Sequence, residues 1–402
     1  MARCSVCEVE SGVIVDGMCL ECSNSPCSTT KLNVALVALD RACASSQDER
    51  VSLMRAKVRG LMRGYDARWR HVPLTVLGVE ETITSDLWNP ETGRKSRSFT
   101  LAGKIDVRAM DGDSRIIIDH KTTSEEITDP SAPYWRQLVV ESQPTHYMLL
   151  EWLNGRKIDM ALWDVVRKPS IAPKNVAKKD REVIIATGEY FGRLLSPESL
   201  EELAATERES LEMYEYRLTQ DCTLDRPERY FQRRSVPRLD SEVIEHAKEV
   251  WEEGQELLHI RQMERHTRNA GACMLYGRPC KFLGICSGHD APDSGKWSEK
   301  QWRHAELPIL NSGSGVDVLT NSRLSTFKTC KRKHYYDYEL GLERVEEDEA
   351  EALLFGTLWH IAQEAWWGFD LINQSTERKT YGNATAPVIE AGAAADSTGF
   401  PC

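Results

Sequence analysis

The stretch that most narrows what this chain can fold into is Ile116-Ile117-Ile118 followed at once by Asp119-His120-Lys121. Three consecutive β-branched apolar residues suit a strand covered on both faces of a sheet. Such a strand does not end on charged groups unless those charges meet a partner, because an unpaired buried charge is costly. Upstream, Gly103-Lys104-Ile105-Asp106-Val107 has the composition of another β arm, and Asp111-Gly112-Asp113-Ser114 that of a turn, so residues 101–123 predict a hairpin. Asp111 and Asp113 are assigned to the turn. Side chains alternate along a strand, so Asp119 and Lys121 share a face while His120 points the other way and is expected to be packed. Asp106 and Asp119 then stand at neighbouring strand ends as hard oxygen ligands suited to Mg²⁺ or Mn²⁺.

Gly103-x-x-Asp106, the turn, Asp119-x-Lys121 and Gln143-x-x-x-Tyr147 follow one another in order. Asp-x-Lys alone is a weak signal, but the ordered set is specific. It resembles the PD-(D/E)XK nucleases, and within them the RecB-like exonucleases. The resemblance implies a restriction-endonuclease-like α/β fold, a mixed central sheet flanked by helices. It also implies Mg²⁺- or Mn²⁺-dependent hydrolysis of DNA phosphodiesters, on single strands or duplex ends. In this chain Asp106 and Asp119 would bind metal, helped by the carbonyl of His120. Lys121 would activate the attacking water, and Gln143 and Tyr147, on a helix behind the sheet, would position Lys121 and the DNA. Glu80, with Glu81 beside it, sits where these enzymes often carry a further acidic residue.

Two more parts of the inventory lie far away. Cys273, Cys280 and Cys286 are spaced seven and six apart in a Gly/Pro-containing loop and need a fourth thiolate. Residues 319–369 resemble the opening segment of the RecB-like nucleases, through Ser322-x-Leu324, Cys330-Lys331-Arg332 and Gly356-x-x-x-His360. That likeness implies Cys330 as the missing ligand of a [4Fe–4S] cluster and His360 as a metal ligand, with Glu364 one turn on along the same helical face. Four thiolates suit zinc equally well, and both metals stay open here. The order is unexpected, because the family places the histidine and the first cysteine before the sheet. Residues 28–100 contain neither motif, and residues 319–402 contain no Asp-x-Lys. Each part lacks what the other carries, so the expectation is a circular permutation rather than a tandem repeat. The 32 residues between Cys286 and Leu319 span about 30 Å as a flexible chain, enough to cross the core. Exchange of the segment between two chains, a truncated second nuclease and a rearranged reading frame are the rivals.

Cys4-x2-Cys7 and Cys19-x2-Cys22 have zinc-ribbon spacing, so residues 1–27 are expected to fold around structural Zn²⁺. Twelve cysteines in a chain with no signal-peptide core after Met1 suggest metal binding and a cytoplasmic protein. The net charge of −11 argues against a general polyanion-coating protein, but not against local phosphate binding. The expected organisation is a zinc ribbon (1–27), a nuclease core with the cysteine triplet (28–290), a linker (291–317), a helical segment (318–372) and a disordered tail (373–402). Arg55, Lys57, Arg59 and Arg63, the rim Arg167-Lys168 with Lys174, and Arg229–Arg234 each offer phosphate contacts or an ordinary solvated or packed face. The reading from another class is a non-catalytic nucleic-acid-binding scaffold built on an incomplete nuclease shell. A helicase, recombination or dimer partner is compatible with either.

Overall fold

The computed structural model describes residues 30–301 except Tyr276, then 304, 307, 316–345 and the backbone of 351–381, with side chains as far as Ile372; of residues 1–29 only four two-residue backbone strands are described. The zinc-ligand side chains expected at Cys4, Cys7, Cys19 and Cys22, Trp302 and the tail beyond Tyr381 lie outside the described residues.

Helix α1 (Lys31–Cys43) starts at Thr30, whose hydroxyl accepts the Asn33 N–H, and α2 (Glu49–Trp69) starts at Asp48, whose carboxylate accepts the Arg50 N–H. Each cap satisfies a donor that the first turn leaves unpaired. A long antiparallel ribbon comes next, β1 (Leu74–Trp88) against β2 (Lys95–Asp111). Gly112, with φ of +59°, turns β2 into β3 (Ser114–Thr123). Helices α3 (Pro133–Val139) and α4 (Gln143–Leu153) lead to β4 (Met160–Arg167), which runs parallel to β3. The sheet order is β5–β4–β3–β2–β6, with β1 on the remaining edge of β2; β5 is Phe231–Val236 and β6 is Asp317–Leu319. This is the mixed central sheet expected of the sequence.

The isoleucine run is covered on both faces. Ile116 and Ile118 belong to the core formed with α1, α2 and the last helix, and Ile117 to the core formed with α4 and α8 (Asp240–Met263). Val107, Trp359 and Trp366 fill the first side, and Leu150, Trp163 and Val250 the second. A smaller lobe, α5 (Lys178–Thr187), α6 (Pro197–Thr206) and α7 (Leu211–Gln220), has its own core around Leu203 and Met213. Helix α6 ends at Glu207, with φ of +60°, and α7 starts from the Ser210 cap.

The segment after the cysteine triplet completes this body. β6 joins the sheet parallel to β2, α9 (Asn321–Thr329) buries Leu324 and Phe327, and α10 (Glu351–Tyr381) packs along α1 and α2. The linker expected over 291–317 is partly structured. Trp297–Glu299 pairs with Leu342–Arg344, and Trp297 is buried against Phe282 rather than loosely docked.

Candidate active site

The site forms where β2 loses a neighbour. β1 runs along one edge of β2; on the other, β3 pairs with residues 107–111 and β6 with residues 99–101. Between those two partners the backbone of 102–106 lacks a ladder, and side chains fill its place. The Asp106 carboxylate accepts the His120 N–H at 2.7 Å, and the His146 ring meets the Ala102 carbonyl at 3.2 Å. Gly103 lies in the gap because a Cβ there would come within 2.9 Å of both Tyr147 and Leu150 on α4.

Three elements distant in sequence meet at that gap. Ligand atoms of Glu80 on β1, Asp106 on β2 and His360 on α10 all lie within 4.8 Å of one another. Asp119 is 3 % exposed, and the Lys121 ammonium stands 2.5 Å from its Oδ2. Lys121 donates to Gln143 Oε1 at 2.8 Å, and Gln143 Nε2 donates to the Tyr147 hydroxyl at 2.8 Å. Asp106, Asp119, Lys121, Gln143, Tyr147 and His360 therefore converge on one region. Asp119 is turned towards Lys121 and stands outside the Glu80–Asp106–His360 trio.

The His120 side chain leaves on the opposite face. Its ring contacts Gln363 of α10 at 3.1 Å and Asp164 at 3.2 Å, and Asp164 is also held by Arg233 and the Tyr65 hydroxyl. This buried network ties β3 to the helix that carries His360.

Electrostatics mark the same place. Burial, then the charge of Asp119, pushes the Asp106 carboxyl up to about 7. Burial, reinforced by His120, pulls His360 down to about 4, which leaves it a neutral ligand near neutral pH. Burial works against the Lys121 ammonium, but Asp119 more than offsets it and raises the pKa above the usual lysine value. Carboxylate oxygens from Glu80 and Asp106 and a neutral imidazole, gathered within 4.8 Å, form a donor set that suits a hard divalent cation.

Glu80 was the less legible member. It sits opposite Asp106 in the β1–β2 register with φ of +53°, past a register shift between Val76 and Gly78. Its neighbour Glu81 is bound by the Arg108 guanidinium and faces away from the trio. A sequence shows two adjacent acids; which of them faces Asp106 is decided by the pairing register of β1 and β2, which no local motif announces.

Cys273, Cys280, Cys286 and Cys330 line a single cavity together with Arg268, Arg332 and Lys333. All four are free thiols, and the Asn269 N–H points at Cys330 Sγ from 3.4 Å.

Most of the basic stretches considered as phosphate contacts are engaged within the fold. Arg59 and Arg63 bridge to Glu215, Arg55 and Arg59 to Asp40, and Arg167 to Glu126. In the 229–234 stretch Tyr230 and Phe231 are buried, Arg233 pairs with Asp164, and Arg234 stacks over Trp135. That stretch is a packed strand, not an exposed clamp.

A sequence model described as the PD-(D/E)XK nuclease superfamily matches residues 22–287 and 318–396. The chain belongs to that superfamily. Neither curated proteins nor solved structures gave a match. The two matched stretches of this PD-(D/E)XK protein are the two parts that meet at the strand gap. Among its described residues no helix is long and apolar enough to cross a membrane.

Proposed function

We propose that the protein is a Mg²⁺- or Mn²⁺-dependent deoxyribonuclease, acting as an exonuclease in DNA processing, recombination or repair. The observation that carries this reading is the approach of Glu80, Asp106 and His360 to one another beside the Asp119–Lys121–Gln143–Tyr147 chain. Glu80, Asp106, Asp119 and His360, with the His120 carbonyl, would hold the cation. When bound, the cation would polarise the scissile phosphate and make a nucleophile of its water. The Lys121 ammonium, kept charged by Asp119, orients that water and offsets charge developing on phosphate oxygens. Gln143 fixes the lysine, and Tyr147 fixes Gln143. The scaffold alternative expects the histidine helix to stand apart from the acids; His360 within reach of Asp106 counts against it.

The reading extends to chain order and to the other metals. A circular permutation is supported by the docking of residues 317–345 and 351–372 in cis, which supplies one strand of the sheet and one member of the trio. A [4Fe–4S] cluster on Cys273, Cys280, Cys286 and Cys330 is supported by their shared cavity and by Arg268, Arg332 and Lys333, whose charge suits an anionic thiolate-bound cluster. Structural zinc at Cys4, Cys7, Cys19 and Cys22 rests on ribbon spacing alone.

End-labelled single- and double-stranded DNA, incubated with Mg²⁺ or Mn²⁺, tests the activity. Asp119→Ala and Lys121→Ala should each lower cleavage by at least about 100-fold, the scale of a lost proton-transfer or charge-stabilising group. Iron content and the visible absorbance of the cluster should be unchanged in both variants. Full cleavage by purified Asp119→Ala would end the proposal, and zinc without iron at the cysteine cavity would replace the cluster by a zinc site.

A further inference from the structure

We propose that Lys104 is the built-in counter-ion of this site: it neutralises Glu80 while no cation is bound, and is released to the phosphodiester when a cation takes its place. The inference rests on the metal-site reading of Glu80, Asp106 and His360. Lys104 lies two residues before Asp106 on β2, so both side chains emerge on one face of the strand. Its ammonium stands 2.5 Å from Glu80 Oε2, with the lysine side chain 35 % exposed and the glutamate 15 % exposed. Lys104 thus reaches the acid from the solvent side, where a DNA backbone would approach.

Charge balance governs how the lysine responds to a cation. Glu80 and Asp106 offer oxygens within 4.8 Å of each other, and Asp119 adds its field to Asp106. Two ammoniums balance this group, Lys121 on Asp119 and Lys104 on Glu80. Lys121 is anchored by Gln143, whereas Lys104 has a flexible stem and the strongly hydrated head of a lysine. A divalent ion bound through the same carboxylate would repel that ammonium at contact range. The lysine then gives way, and the negative charges within its reach are the Glu364 carboxylate, which already acts on it, and the phosphate held over the cation.

The bland alternative is a surface ion pair between neighbouring strands, of the sort whose removal changes little. The two readings differ in sign as well as size. As a counter-ion, Lys104 competes with the cation, so deleting its charge tightens metal binding. As a phosphate contact it also supports DNA binding, which should weaken.

The experiment titrates Mn²⁺ into the full-length protein by calorimetry without DNA, for the wild type, Lys104→Gln, Lys104→Arg and Asp106→Asn. A labelled single strand is then bound in Ca²⁺ over a range of salt. Lys104→Gln should bind Mn²⁺ roughly three- to tenfold more tightly, as expected for one unit charge removed at contact distance in a partly solvated site. Its salt dependence on DNA should fall by about 0.7 in slope, the value for one lost phosphate contact on a single strand. Lys104→Arg should keep both wild-type values. Unchanged or weaker Mn²⁺ binding in folded Lys104→Gln, with the wild type binding and Asp106→Asn not, overturns this inference alone. An unchanged salt slope overturns the phosphate half. No Mn²⁺ binding by the wild type overturns the metal-site reading, and this inference with it.

Discussion

Glu80 adopts φ of +53° in the middle of an edge ribbon, a conformation that costs a residue with a Cβ about 1–2 kcal/mol. Its carboxylate lies within 4.8 Å of Asp106 and His360, beside the residue it faces across the ribbon. Glycine carries no such penalty. Glu80→Gly and Glu80→Ala both delete the carboxylate, so a comparison of the two isolates the backbone. Glu80→Gly should be the more stable by about 1 kcal/mol in urea unfolding, while both lose Mn²⁺ affinity to the same extent. Equal stabilities would mean that the strain is absent in solution. At this scale the sequence was readable where the residues that converge belong to a spaced motif, as at Asp106, Asp119 and Lys121. It was less readable at Glu80, where two adjacent acids offer the same chemistry and only the register tells them apart.

Elements were legible where their pattern is local. The β2–β3 hairpin arises from its turn, and the placing of Gln143 and Tyr147 on one face of α4 from their spacing. Long-range partners were not. Arg59, Arg63 and Arg233 read as available cations because nothing near them in sequence announces Glu215 or Asp164. The same holds for the contact between α4 and α8. The Nε2–H of His146 donates to the free Ala102 carbonyl at 3.2 Å, and its Nδ1 accepts from His246 Nε2 at 3.4 Å. Burial pulls His146 down to about 3 and His246 down to about 4, against 6.5 for an unburied histidine. Both are therefore neutral in the fold at pH values where an unfolded chain has protonated them. As pH falls below 6.5 the unfolded state takes up protons that the fold refuses, and stability decreases until about pH 4 through His246 and about pH 3 through His146. The loss approaches about 1.4 kcal/mol per pH unit for each histidine over that window. Urea midpoints at pH 7 and pH 5 should show the decline. His146→Asn combined with His246→Leu should be less stable at pH 7 and flatter between the two pH values. An equally steep decline in the double variant would assign the effect to other groups.

At the scale of the molecule, the inventory of parts was legible and their connection was the open question. The order of the motifs required the last fifth of the chain to return to the first strands. What makes that return stable is apolar area: Phe355, Trp359 and Trp366 of α10 are buried in the core of α1 and α2, and Leu324 and Phe327 of α9 in the core on the opposite face. No motif describes those contacts, although the aromatic spacing of Phe355, Trp359 and Trp366 on a helix hints at them. The end of the docked segment also lies against the beginning of the core. Lys31, the first residue of α1, pairs with Asp370 of α10 and stands over the Trp366 ring at 4.3 Å. A chain rewired so that residues 317–372 precede residue 30 through a short Gly/Ser linker would thus join neighbours, with its break placed in the 288–316 connection. Closing a short flexible loop between neighbouring ends costs no more entropy than closing a longer one, and the sheet, the trio and the cysteine cavity would be unchanged. The rewired protein should be monomeric, bind Mn²⁺ within about threefold of the original, and retain cleavage wherever the original cleaves. If the segment instead belongs to a neighbouring chain, the rewired protein would still exchange it, and sedimentation would show dimers whose activity depends on concentration. Activity recovered only in such dimers would reject a permuted single-chain nuclease in favour of a swapped one.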